Sequence, residues 1–255
     1  SYLLVLNAAA VYVARRQGWR SVEIVGMVCT FLLHAVWYSE NAREIGKLPG
    51  VIFTIGQMVI FGSSPAGWQS ITAQILGGIG IAAFFRNQWD ENFFVAAAII
   101  AVLGLFWAAK KRSDLPIAGA FAGWVLGISA WSAPFTEHPG GTFLALAIAF
   151  LAFLLSALFI RVEKTGVPTF TTVGLNGIFF FSMALAVLEK DFKGFMGMLA
   201  VGVAASYLLA AVRLRDSGNQ KGAIFGAGLA LAFLTVAIPA QLTGYSITIG
   251  WAIEA

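Results

Sequence analysis

The chain has 255 residues, 59% hydrophobic and 11% charged, with a mean hydropathy of +0.84. Soluble domains carry about 25% charged residues and bury one apolar face of each helix, so this composition excludes an ordinary soluble domain. The formal charge of +4 comes from 16 Lys and Arg against 12 Asp and Glu, scattered between apolar runs, a membrane-loop pattern rather than a nucleic-acid surface.

A membrane span needs roughly 20 apolar residues. The first run, 2–14, is shorter and lacks the basic leader and cleavage site of a signal peptide. The second, 21–38, contains Cys29, the chain's single cysteine. It cannot form an intrachain disulfide and is expected to be a small buried apolar residue. The stretch 48–85 is too long for one span. It divides at "GSSPAGWQS", a Gly/Ser/Pro turn signal, which predicts helices over 48–62 and 68–85, with a pair that only partly crosses as the alternative. Further spans are expected at 93–109, 115–132, 142–160, 169–188, 195–212 and 222–240, and a last run begins near 246. The expectation is one all-α transmembrane bundle of ten to eleven helices. Its terminal helices are truncated, as if the chain were an internal portion of a longer protein.

Loop charge supports the division of 48–85. With eleven segments, odd-numbered loops hold eleven Lys and Arg and even-numbered loops hold five. By the positive-inside tendency the odd loops are cytoplasmic. An internal echo aligns "GVIFTIGQMVIF" (50–61) with "GAIFGAGLALAF" (222–233), and Leu6-Asn7 with Leu175-Asn176. It suggests related three-helix units over 1–62 and 170–234, which would be inverted, a common transporter arrangement. Chance matching of abundant Gly, Ile and Phe is the competing reading.

No catalytic motif, cofactor-binding motif or metal-ligand spacing is found. His138 sits in the turn "TEHPGG". His34 lies four residues after Thr30, on the same helix face, where an interhelical hydrogen bond is the ordinary role. The glycines of "GGIGIAAFF", and Gly194, Gly197, Gly202 and Ala205, read as surfaces for close helix approach. Trp37, Tyr38, Trp68, Trp89, Trp131 and Trp251 near run ends read as an interfacial belt. The informative residues are polar ones inside apolar runs: Asn7, Gln57, Gln74, Asn176, Ser182, Ser206, Thr235 and, above all, Glu254. Such groups ordinarily serve as interhelical hydrogen bonds, and that is the expectation for Gln57 and Gln74, which flank the 63–67 turn; a polar pocket faced by both is the alternative. A carboxylate such as Glu254 must pair, face the bundle interior or be protonated.

Two stretches carry a resemblance. One is "YLLVLNAAAVYVARRQGWRSVEIVGMVCTFLLHAVWY" (2–38). The other is "AFLTVAIPAQLTGYSITIGWAIEA" (232–255), in which the spacing of Pro239, Gln241, Leu242, Gly244, Trp251 and Glu254 is most specific. Together they resemble the bacterial multi-pass membrane family known as domain of unknown function 2339. Ala240 departs from the larger apolar residue expected there, and 48–85 has no matching motif. The resemblance implies a many-helix protein of the bacterial inner membrane and assigns no activity.

Two functional readings follow. One is a transporter- or channel-like protein for a small or amphiphilic solute. The other is a structural or assembly subunit of a membrane complex. An enzyme would have only Glu137 and His138, with Glu254, to work with, and the reading is non-enzymatic. The expected partners are membrane lipids, with protein partners or a second copy in the membrane left open, and no nucleic acid.

Overall fold

The computed structural model describes residues 2–45, 47–63, 67–85, 90–131, 137–159 and 167–241. Among these residues all regular structure is helical. The helices are α1 (Tyr2–Gln17), α2 (Arg20–Ile45), α3 (Lys47–Gly62), α4 (Gly67–Phe84), α5 (Glu91–Lys111), α6 (Leu115–Ala130), α7 (Pro139–Phe159), α8 (Val167–Phe192), α9 (Met196–Asp216) and α10 (Gln220–Gln241). The stretch 48–85 is two helices. The segment from 246, with Trp251 and Glu254, lies outside the described residues.

Among the described residues, five helical stretches are long and apolar enough to cross a membrane: Asn92–Lys111, Pro139–Ser156, Thr169–Leu188, Met196–Asp216 and Gln220–Ala240. Lys47–Gly62, Gln69–Phe84 and Leu115–Ala130 are shorter apolar helices. Large apolar side chains such as Val5, Leu33, Ile52, Val102, Leu144 and Leu209 stand exposed on their flanks. In water such surfaces would drive aggregation; in a bilayer they meet acyl chains.

Three short connections use a left-handed stop. At the end of α1, Gly18 takes φ +73°; its N–H donates to Arg15 O (3.3 Å) and that of Trp19 to Ala14 O (2.8 Å). At the end of α9, Gly218 takes φ +81°, with Gly218 N–H donating to Arg215 O and Asn219 N–H to Leu214 O, both 2.9 Å. These are Schellman closures, which return two orphan carbonyls to hydrogen bonds and favour glycine at the left-handed position. Arg112 makes a related left-handed closure after α5 with φ 50° and no glycine, its own N–H and that of Ser113 both donating to Ala108 O.

The chain forms two compact units. The first comprises Ser1–Pro134 with Ile160–Thr169, the second Phe135–Phe159 with Phe170–Ala255. In the first, α4 and α6 pack backbone to backbone. A Cβ added at Gly78 would collide with the Gly123 carbonyl, one at Gly123 with Gln74 O, and one at Gly119 with Ile71 Cα at 2.7 Å. Gly77 similarly admits Met58 of α3. Close approach through small residues substitutes dispersion for the hydrophobic drive that a bilayer does not provide between helices.

In the second unit α9 and α10 form the most extensive pair. The α9 face toward this core is Ala200, Val203, Ala204, Tyr207, Ala210 and Ala211, all buried at helical spacing. Gly226 of α10 lies against Ala211 and Tyr207. Three of the residues expected to make a packing surface do not: Gly194, Gly202 and Ala205 are exposed, and a Cβ at Gly194 or Gly202 would meet nothing within 4 Å. At 3.6 residues per turn Gly202 and Ala205 fall on the face away from Ala204 and Tyr207.

Two further expectations are corrected. Cys29 is exposed, because the buried face of α2 runs through Met27, Thr30, Phe31 and His34. Trp131 is 1% exposed rather than interfacial. Its indole N–H donates to Phe85 O at 2.9 Å, serving a carbonyl just past the end of α4, and its ring stacks on Phe93 at 4.3 Å.

Candidate functional site

The first unit concentrates buried polar side chains on α1–α4. Asn7, Thr30, His34, Thr54, Gln57, Gln69, Ser70 and Gln74 are all buried. Asn7 Nδ2 donates to Gln57 Oε1 (3.4 Å), and Thr30 Oγ1 donates to Asn7 Oδ1 (3.2 Å). One chain of hydrogen bonds thus ties α2, α1 and α3. The sequence singled out Asn7 and Gln57; the structure joins them and adds Thr30.

Gln74 does not join that chain. Its Nε2 donates to Ser70 Oγ, one turn back on α4 (3.3 Å). Its Oε1 lies where a Cβ on Gly104 of α5 would be, and a Cβ there would also meet the Ala120 methyl of α6. The two glutamines therefore flank the turn as expected, but Gln57 bonds toward α1 while Gln74 lies against α5 and α6.

Three of these atoms have no hydrogen-bond partner among the described residues: Thr54 Oγ1, Gln57 Nε2 and Gln74 Oε1. Thr54 faces α4, where Gly80 leaves room beside it. Leaving such a buried group unsatisfied costs about 1–3 kcal/mol. The three atoms belong to α3 and α4 but face different neighbours, Thr54 beside Gly80, Gln57 toward α1 and Gln74 against α5 and α6; we call the set the polar seam.

His34 is an aromatic packing residue. Its ring stacks on Phe53 at 4.2 Å and meets Phe84 edge-on at 5.6 Å, with the Gly50 backbone in hydrogen-bonding reach. Asn176 sits in the second unit, where its Nδ2 donates to Phe150 O at 2.9 Å. Ser206 is half-buried and Thr235 exposed, and they bond back to Gly202 O and Leu231 O on their own helices (2.9 and 3.0 Å). Glu137 and His138 are exposed.

The two ends of α3 carry charged clusters that the sequence reading did not assemble. At its C-terminal end, Arg15 donates to Glu23 Oε1 from Nε (2.9 Å) and Nη2 (2.6 Å). It also reaches Ser63 Oγ (2.9 Å) and Ile60 O (3.0 Å). Lys111 Nζ donates to Gly62 O at 3.1 Å. Two cations thus serve the orphan carbonyls of α3, where the helix dipole favours positive charge. At the other end, Lys47 pairs with Asp90 at 3.0 Å, and its ammonium lies 4.9 Å from the Phe85 ring centroid. Burial pushes the Asp90 carboxyl up, but the Lys47 and Asn92 hydrogen bonds and the Lys47 charge outweigh it and leave its pKa below the usual value. Arg15 and Glu23 are eight residues apart across one turn, a signal that could have been read. Lys47 and Asp90 are 43 apart, and no local pattern connects them.

A protein-family model described as "Predicted membrane protein (DUF2339)" matches residues 1–255. The chain belongs to this family. As a DUF2339 protein it is a multi-pass helical membrane protein, and the match runs through 48–85, where the sequence offered no matching motif. No curated protein and no solved structure matches the chain.

Proposed function

We propose that this DUF2339 protein passes a small, uncharged, hydrogen-bonding solute across the bacterial plasma membrane through its first unit. The observation that carries this is the polar seam: three buried hydrogen-bonding atoms on α3 and α4 without partners. Interhelical hydrogen bonds in membranes contribute only about 0.6 kcal/mol. Polar atoms that make none contribute no such stabilisation, and their use is to meet water or a solute. The uncharged character of the seam favours a neutral solute. The Arg15–Glu23–Ser63 cluster with Lys111 closes the C-terminal end of α3, which by loop charge is the cytoplasmic end.

Proteoliposomes test the proposal by stopped-flow light scattering with urea or glycerol as the osmolyte. The expected result is re-swelling several-fold faster than in protein-free vesicles, lost in the Gln57→Leu/Gln74→Leu double variant. Rates equal to those of empty vesicles, or unchanged in the variant, would remove it.

A structural subunit is the second reading, favoured by the backbone-level packing of α4 on α6. It predicts a stable stoichiometric partner on purification from native membranes, and isolation as a lone chain counts against it.

A further inference from the structure

The face of α3 turned away from Gln57 borders a second, chemically different space. A groove of about 480 Å³ runs between α3 and α5, within the usual range of small-molecule sites. Leu48, Val51, Ile52 and Ile55 of α3 and Val95 and Ile99 of α5 form its walls. Leu48, Ile52, Val95 and Ile99 are exposed, so the groove opens sideways toward the acyl region rather than into the seam. At 3.6 residues per turn, Leu48 and Ile55 lie nearly opposite Gln57 on α3.

One end of the groove is polar. Lys47, Asp90 and Asn92 line it there. The Lys47–Asp90 pair is partly accessible, with side chains 35% and 20% exposed. The mouth therefore offers one cation and one anion about 3.0 Å apart, above an aliphatic trough. That order of groups, a charge pair at the surface and hydrocarbon below, is complementary to an amphiphile bearing both charges in its headgroup.

We propose that the α3–α5 groove is a binding site for a single zwitterionic phospholipid. Its phosphate meets the Lys47 ammonium, its headgroup ammonium meets the Asp90 carboxylate, and an acyl chain lies along Val51, Ile52, Ile55, Val95 and Ile99. A net-anionic headgroup finds Lys47 but brings unbalanced negative charge to Asp90, so it binds less well. The site does not depend on solute passage through the seam, because it uses the opposite side of α3.

Native mass spectrometry of the full chain in detergent tests this, with equal amounts of phosphatidylethanolamine, phosphatidylcholine and phosphatidylglycerol. The expected spectrum shows one retained lipid, with each zwitterionic species at least fivefold over phosphatidylglycerol. Asp90→Asn should abolish that preference, and Lys47→Gln should lower retention of all three. Ile55→Trp, which fills the trough and leaves the ion pair in place, should also remove the adduct. Should either single-charge variant fail to fold, Ile55→Trp still decides. No adduct on the wild type, equal retention of the three lipids, or an adduct unaffected by Ile55→Trp would overturn the site.

Discussion

The two units solve the same packing problem differently. In the second, buried polar side chains are put to structural use. Asn176 holds α8 to α7 through Phe150 O, and Tyr207 OH donates to Val173 O at 2.6 Å within a cluster formed with Phe150 and Phe233. In the first, α4 and α6 approach through glycine as closely as backbones can, yet beside them Thr54, Gln57 and Gln74 keep atoms with no partner. Close packing was evidently available to these helices. Under the function proposed above, the polar atoms retained beside it meet water or a solute.

The comparison can be broken most forcefully at the glycines. Gly78→Leu drives a side chain into the Gly123 backbone and is expected to cost about 3 kcal/mol or more, since a backbone cannot yield as a side chain can. Gly202→Leu in the second unit enters open space and should stay within about 0.5 kcal/mol of the parent. Thermal unfolding in detergent, followed by circular dichroism, separates the two.

A smaller effect is expected at the charged end of α3. Arg15→Ala leaves the Glu23 carboxylate, 5% exposed, without its guanidinium, at a cost of about 1–3 kcal/mol. Adding Glu23→Ala should recover part of that loss in a double-mutant cycle; strict additivity would show that the pair is not coupled.

The sharpest contrast between units is smaller again. Asn176→Leu should cost about 0.6 kcal/mol, the average for such a bond in a membrane. Gln74→Leu should be neutral or slightly stabilising, because the lost Nε2–Ser70 Oγ bond of 3.3 Å is offset by removal of an Oε1 with no partner among the described residues. Equal losses at both positions, measured by the same unfolding assay, would dissolve the distinction drawn here.

The least effect concerns Asp90. Its pKa is lower in the folded chain than in the unfolded one, so the Lys47 pair contributes fully above the ordinary carboxylate range, near pH 4. The contribution is lost as the pH falls through the lowered folded value. At this exposure it amounts to a few tenths of a kcal/mol. Unfolding midpoints compared between pH 6 and pH 3 should show this extra acid sensitivity in the parent and not in Asp90→Asn.

Much of the fold was legible because the bilayer imposes a length on apolar runs and loops interrupt them with charge. The "GSSPAGWQS" signal divided 48–85 correctly, as α3 ends at Gly62 and α4 begins at Gly67. Helix facing was less legible. The exposed positions of Cys29 and Gly202 were not legible because the stretches around them in α2 and α9 are apolar on several sides, which leaves little moment to tell core side from lipid side. Of the site, Asn7 and Gln57 were visible as polar residues in apolar runs, but their pairing across 50 residues was not. Thr54 passed unnoticed because threonine is unremarkable in a span. The Lys47–Asp90 pair needed the register of α3 against α5.

The account rests on the seam being wet in the first unit and the interior being dry in the second. Single cysteines at Thr54 and Asn176, each in a Cys29→Ser background and reconstituted into vesicles, can be titrated with a small water-soluble methanethiosulfonate reagent. The account predicts that Thr54→Cys reacts at least tenfold faster than Asn176→Cys. Equal, slow reaction at both positions would contradict it.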